Sequence, residues 1–187
     1  MDLRSWILDD LDLVVARARG GVLNVVPAER WAEQTGEGGS SITFLLWHVA
    51  RHHDIAVNSV IRQSSLVAEN HAALTDQLGP SIGLAEAEPV GLAQTLDPEA
   101  VAAYYEDVYA STKAWIKDAD LSALDDTADS ASGLDRVGVS RDDVPWLYNM
   151  WEAKPASFFV RWEAIGHGIN HLGDLTSVRN RMGLSPF

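Results

Sequence analysis

Two histidines stand four residues apart in Gly166-His167-Gly168-Ile169-Asn170-His171-Leu172-Gly173-Asp174, inside a segment whose apolar residues recur with a helical period. On an α-helix, positions i and i+4 share a face, with Cβ atoms roughly 5 to 6 Å apart. Two imidazoles so placed can converge on one small cation, and a third ligand must then come from elsewhere. His48 is the best candidate. It lies in Leu45-Leu46-Trp47-His48-Val49-Ala50-Arg51-His52-His53-Asp54, which holds three of the six histidines in the chain. Neutral imidazoles without thiolate or carboxylate suit Zn²⁺, Ni²⁺, Cu²⁺ or Fe²⁺ better than the oxygen-seeking Mg²⁺ and Ca²⁺. Zinc and nickel come first. Three protein ligands leave room for water or substrate, and the metal can lower the pKa of bound water or stabilise a bound thiolate.

Four helices have to position these groups. From Asp2 to about Ala18, apolar residues recur at threes and fours, the amphipathic period, and Gly20-Gly21 is the expected stop. A second helix starts after Ser40 or Ser41, either of which can cap free backbone N–H groups, and runs to about Arg62. Asp97-Pro98-Glu99 opens a third that reaches about Lys117, since proline is tolerated in the first helical turn. The fourth begins just after Pro155 and ends near Arg181 or Met182, with Gly183 as its stop and Pro186 beyond. Two long acidic connections remain, one with a short helix expected at Glu69 to Gln77, the other with a turn of helix at Pro145 to Trp151. The expected architecture is all-α, a four-helix bundle with long second and third connections, which can build a metal site from facing helices.

On that framework Leu45, His48, His52, Ile55 and Ser59 form one inward stripe. Val160, Ala164, His167, His171, Leu175 or Asp174, Val178 and Met182 form another, with Arg161, Glu163, Asn180 and Arg181 falling elsewhere. Inward imidazoles need hydrogen bonds or a metal, because uncompensated burial of polar groups is costly. His52 reads as a group that orients a ligand, with fourth ligand or general base as its other open roles. Asp174 and Asn170 are near enough to His171 to orient its ring or to contact a substrate. His53 and His71 read as surface residues, and Arg51 and Asp54 equally as ordinary polar positions or as part of the site. Trp47, Trp146, Trp151 and Trp162 are read as packing residues before pocket residues. Gly166, Gly168 and Gly173 cost helix propensity, which close helix approach or space for a ligand would offset.

Composition excludes several classes. The 187 residues fit one domain, 1–187, with one core; 47% are hydrophobic and seven are tryptophan, so the chain folds. A net charge of −13 disfavours nucleic acid and anionic membrane surfaces. The chain has no cysteine, so a thiol in its chemistry would belong to a substrate or cosubstrate. Neither a signal peptide nor an apolar run of the roughly 20 residues needed for a membrane span is apparent, and a cytoplasmic location is expected. Phosphate-loop, His-Glu-x-x-His and Gly-x-Ser-x-Gly motifs do not occur.

The Trp47-His48 segment, the long connections and the terminal His167-x-x-x-His171-x-Gly173 stretch running into Arg179 and Gly183 together resemble the DinB/YfiT-like metalloprotein superfamily. That superfamily includes mycothiol-dependent maleylpyruvate isomerase and bacillithiol transferases. The resemblance spans nearly the whole chain. It implies that His48, His167 and His171 are metal ligands at one end of the bundle, and it implies a homodimer. Leu172 and Asp174 replace the Arg and Gln frequent around the family's glycine. The implied activity is metal-dependent transfer or isomerisation of a small-molecule substrate with a low-molecular-weight thiol as cosubstrate. A non-catalytic metal- or ligand-binding module and a metal-dependent hydrolase, with His52 or Asp174 as base, are the alternatives.

Overall fold

The computed structural model describes residues 2–36, 38–75 and 78–185. Four long helical segments carry an all-α fold, and their starts follow from the caps. Asp2 accepts the Ser5 N–H at 2.8 Å before Leu3–Ala18. The Ser41 hydroxyl accepts the Phe44 N–H at 3.0 Å before Ile42–Asp54. Asp97 accepts the N–H groups of Glu99 and Ala100 before Pro98–Asp118. The final segment is continuous through Ala156–Phe158, Phe159–Gly166 and His167–Arg181. Gly183, at φ +79°, ends it in the left-handed conformation that suits glycine.

Three of these segments contain π-helical turns: Arg19–Leu23, Ile55–Ile61 and Phe159–Gly166. Such turns bond i to i+5 and are frequent beside functional sites. Gly20 and Gly21 do not stop the first helix as expected; they lie within the first π-turn, where Val22 is buried and the Arg179 guanidinium donates to the Gly21 carbonyl. The other two π-turns flank the histidines, one after His52 and one before His167.

The second helix packs against the third and final helices, and the first packs against the same pair. Ile42–Asp54 is buried along every face rather than along one stripe, because the two connections wrap what the other helices leave open. This overturns the reading of His53 and Asp54 as surface or ordinary polar positions. His53 is fully buried, its Nε2 2.8 Å from the Thr112 hydroxyl and its ring edge-on to Tyr109. Asp54 is also fully buried and accepts from Asn58, the Val67 and Ala68 N–H groups and the Tyr104 hydroxyl, at 2.7 to 3.0 Å. It ties the following connection and the third helix to the second.

The connections are more ordered than their acidic composition suggests. Val67–His71 is a 3₁₀ turn running into Ala72–Thr75, which accounts for the short helix expected there; Gln77 and Pro186 lie outside the described residues. Leu121–Asp125, Ser130–Arg136 and Pro145–Trp151 structure the other connection. Ser130–Arg136 was not expected. It docks on Ile55–Ile61 through Gly133, where a Cβ would sit 2.9 Å from the Val60 Cα, and the Ser59 hydroxyl donates to the Gly133 carbonyl at 2.7 Å. The apolar interior consequently has a main cluster among the four segments and a smaller one built by Ile55, Val60, Leu84, Leu134, Leu147, Trp151 and Phe159. Among the described residues, no helix is long and apolar enough to cross a membrane.

Candidate metal centre

His48 projects from the second helix, and His167 and His171 from the final one; all three are at least 95% buried. Their Nε2 atoms converge: His48 to His167 is 3.1 Å and His167 to His171 is 2.9 Å. The opposite ring nitrogens decide what these contacts are. His48 Nδ1 lies 2.7 Å from the Gly83 carbonyl oxygen, which can only accept, so the Nδ1 carries the proton and the Nε2 presents a lone pair. His171 Nδ1 donates in the same way to Asp174 Oδ2 at 2.9 Å. His167 Nε2 thus faces two lone pairs and has at most one hydrogen to offer. Its own Nδ1 is buried without a hydrogen-bond partner among the described residues.

One nitrogen–nitrogen contact is therefore left without a proton, which is the arrangement a cation satisfies. Donors held tetrahedrally at about 2.0–2.1 Å from a metal stand about 3.3 Å apart, close to the two distances observed. Protonation does not offer an equal remedy. Burial pushes His48 down to about 3, and the neighbouring His52 opposes its charge further. Burial lowers His167 still more, with His52, His48 and His171 adding to the effect. Crowded, dry imidazoles stay neutral, and neutral imidazole is the metal-binding form.

The connection at 82–86 supplies the rest of the wall. Three consecutive carbonyls meet three side chains of the second helix: Ile82 accepts from Trp47 Nε1 at 3.3 Å, Gly83 from His48, and Leu84 from His52 Nε2 at 2.9 Å. Gly83 is required here, since it adopts φ +88° and any Cβ would overlap the Trp47 indole. Three residues on, Glu86 places Oε1 3.9 Å from His48 Nε2 and Oε2 3.8 Å from His171 Nε2. His48, Glu86, His167 and His171 thus form one group that can hold a metal ion.

A second group, His52, Glu163 and His167, lies behind the first. Both nitrogens of His52 are engaged, Nε2 donating to Leu84 and Nδ1 lying 3.2 Å from Glu163 Oε2. Glu163 is fully buried, and its Oε1 accepts from Trp151 Nε1 at 2.6 Å. It was not expected to point inward. The signal was present: Glu163, His167 and His171 form one i, i+4 row, and only the charged residue type argued against burial. Glu86 had no comparable signal.

The remaining candidates separate cleanly. Asp174 orients His171, whereas Asn170 is exposed. His71 is partly buried and paired with Asp107 at 3.0 Å, away from the cluster. Trp47 and Trp151 pack within the interior, while Trp146 stacks on His52 and is 40% exposed. Trp162, 38% exposed, lies 6.3 Å from the His167 ring. Of the three helix glycines, Gly168 marks the tight approach, since a Cβ would lie 2.9 Å from Val14 and overlap the Tyr109 hydroxyl; Gly173 borders open space. Arg51 donates to the Pro80 carbonyl and lies over the Trp47 ring, so it is a packed residue and not a solvated one.

Comparison with known proteins agrees with this arrangement at the level of fold and family. The sequence model of the DinB superfamily matches residues 15–174. A crystal structure described as a conserved protein from Enterococcus faecalis is similar over 98% of this chain and 99% of its own, with a TM-score of 0.71. At 15% identity that likeness shows the fold alone. No curated protein matches the sequence.

Proposed function

The chain belongs to the DinB superfamily, and from that premise we propose that it is a metal-dependent transferase using a low-molecular-weight thiol as cosubstrate. His48, His167 and His171 hold a divalent transition metal, zinc or nickel, in this reading. The observation that carries it is the convergence of three buried Nε2 atoms, two of them fixed as lone-pair donors by Gly83 and Asp174. When bound, the metal supplies Lewis acidity that favours the thiolate over the thiol.

The protein's own residues have other tasks. Gly83 and Asp174 hold the tautomers. His52 and Glu163 support the ring of His167 from behind, and with both nitrogens of His52 committed that residue positions rather than abstracts protons. This argues against a hydrolase with His52 as its base. Trp146 and Trp162, partly exposed near the imidazoles, offer apolar surface to an organic electrophile. Transfer requires the thiol to lose its proton to solvent and the sulfur to bond to the electrophilic carbon as the leaving group departs with its electron pair. The thiol must come from solution, because the chain has no cysteine.

Elemental analysis and metal loading of the purified protein test the first half. One equivalent of metal should bind and be lost in each of His48→Ala, His167→Ala and His171→Ala. Loaded protein should then accelerate reaction of a small thiol with an electrophile. Protein that resists loading, or variants that load like the wild type, would overturn the assignment.

A further inference from the structure

We propose that Glu86 is a displaceable fourth donor, closing the metal centre with its carboxylate until an anionic sulfur ligand replaces it. This rests on the reading of His48, His167 and His171 as the metal ligands. The connection preceding Glu86 is pinned across the second helix by the three carbonyl contacts at Ile82, Gly83 and Leu84. These fix where the chain stands when it reaches residue 86. From there one carboxylate oxygen faces His48 and the other faces His171, at 3.9 and 3.8 Å. Both distances are slightly longer than the spacing of about 3.3 Å between tetrahedral donors, so a small rotation of a free side chain would bring an oxygen into range.

Burial separates the two carboxylates near the cluster. Glu163 is enclosed and clamped by Trp151 and His52, so moving it would strand a buried charge or a buried donor. The Glu86 side chain is 70% exposed. When it swings away, water solvates it immediately, and the cost of release is small. The exchange also balances electrically: one monoanion leaves as one thiolate enters, and the sum of charges beside three neutral imidazoles is unchanged. A carboxylate anchored by its backbone and free at its tip gives a centre that is saturated without substrate and open to a better ligand.

Co²⁺ serves as a spectroscopic probe, with wild type, Glu86→Gln and Glu86→Ala compared. Affinity is measured by competition with a chelator, and mercaptoethanol binding by sulfur-to-cobalt charge-transfer absorption. The variants should bind Co²⁺ about tenfold more weakly or worse, on the scale of lost metal-site support. They should bind mercaptoethanol about tenfold more tightly, since no carboxylate competes, on the rule that removing a competing state raises apparent affinity by its population. Equal affinities for both probes in all three proteins would overturn the role of Glu86 and leave the three-imidazole centre standing. Weakened Co²⁺ binding with unchanged thiol affinity would make Glu86 a fixed ligand, which overturns displacement. Failure of every protein to bind Co²⁺ would remove the underlying metal assignment as well.

Discussion

Acidification should destabilise the metal-free protein through its buried imidazoles, and His53 allows one of them to be isolated. This ring is fully enclosed between the second and third helices, outside the metal centre, and burial pushes it down to about 3. In the unfolded chain its pKa returns to about 6.5. Below that value the unfolded state binds a proton that the folded state refuses until its own much lower pKa. The contribution to stability is therefore complete above about pH 6.5 and is lost as the pH falls, at about 1.4 kcal/mol per pH unit. Two units of acidification remove about 3 kcal/mol through His53. His48, lowered to a similar value by burial, adds a loss of the same order, so that the two together become comparable with the whole stability of a small domain. Urea unfolding followed by tryptophan fluorescence between about pH 7 and pH 4.5 measures the dependence. His53→Gln should have a shallower slope than the wild type by about 1.4 kcal/mol per pH unit, whatever its stability at neutral pH. Parallel slopes would refute the reasoning, because they would mean that His53 gains no proton on unfolding.

Two further expectations bear on the site. Asp174→Asn keeps the size of the side chain but removes the carboxylate that holds the His171 tautomer; metal affinity measured by chelator competition should fall about 10- to 100-fold, and unchanged affinity would show that the hydrogen bond is incidental. Gly83→Ala forces a Cβ into the Trp47 indole from a backbone at φ +88°, so thermal and urea unfolding should show a loss of about 2 kcal/mol, together with weaker metal binding as the carbonyl facing His48 shifts. Normal stability in that variant would mean that the connection is not pinned as described.

Local sequence determined the four helical segments, their caps at Asp2, Ser41 and Asp97, and the pairing of His167 with His171. These are properties of neighbours along the chain: a cap needs only the right side chain before the first turn, and i, i+4 convergence follows from helical pitch. The same periodicity brought His48 to the inward face. Tertiary structure decided what the imidazoles do. Every residue has a carbonyl, so nothing in the sequence marks Gly83 and Leu84 as the acceptors that set the rings of His48 and His52. Glu86 reaches the cluster only because a long connection closes over the second helix, and His53 is buried because the third helix packs on it through Tyr109 and Thr112. Glu163 lay on a readable row, but a charged residue is assigned to solvent until partners are seen, and its partners, Trp151 and His52, come from two other elements. Period and capping are encoded within a few residues of each other, whereas tautomer, burial and a fourth donor depend on segments that meet only after the chain has folded.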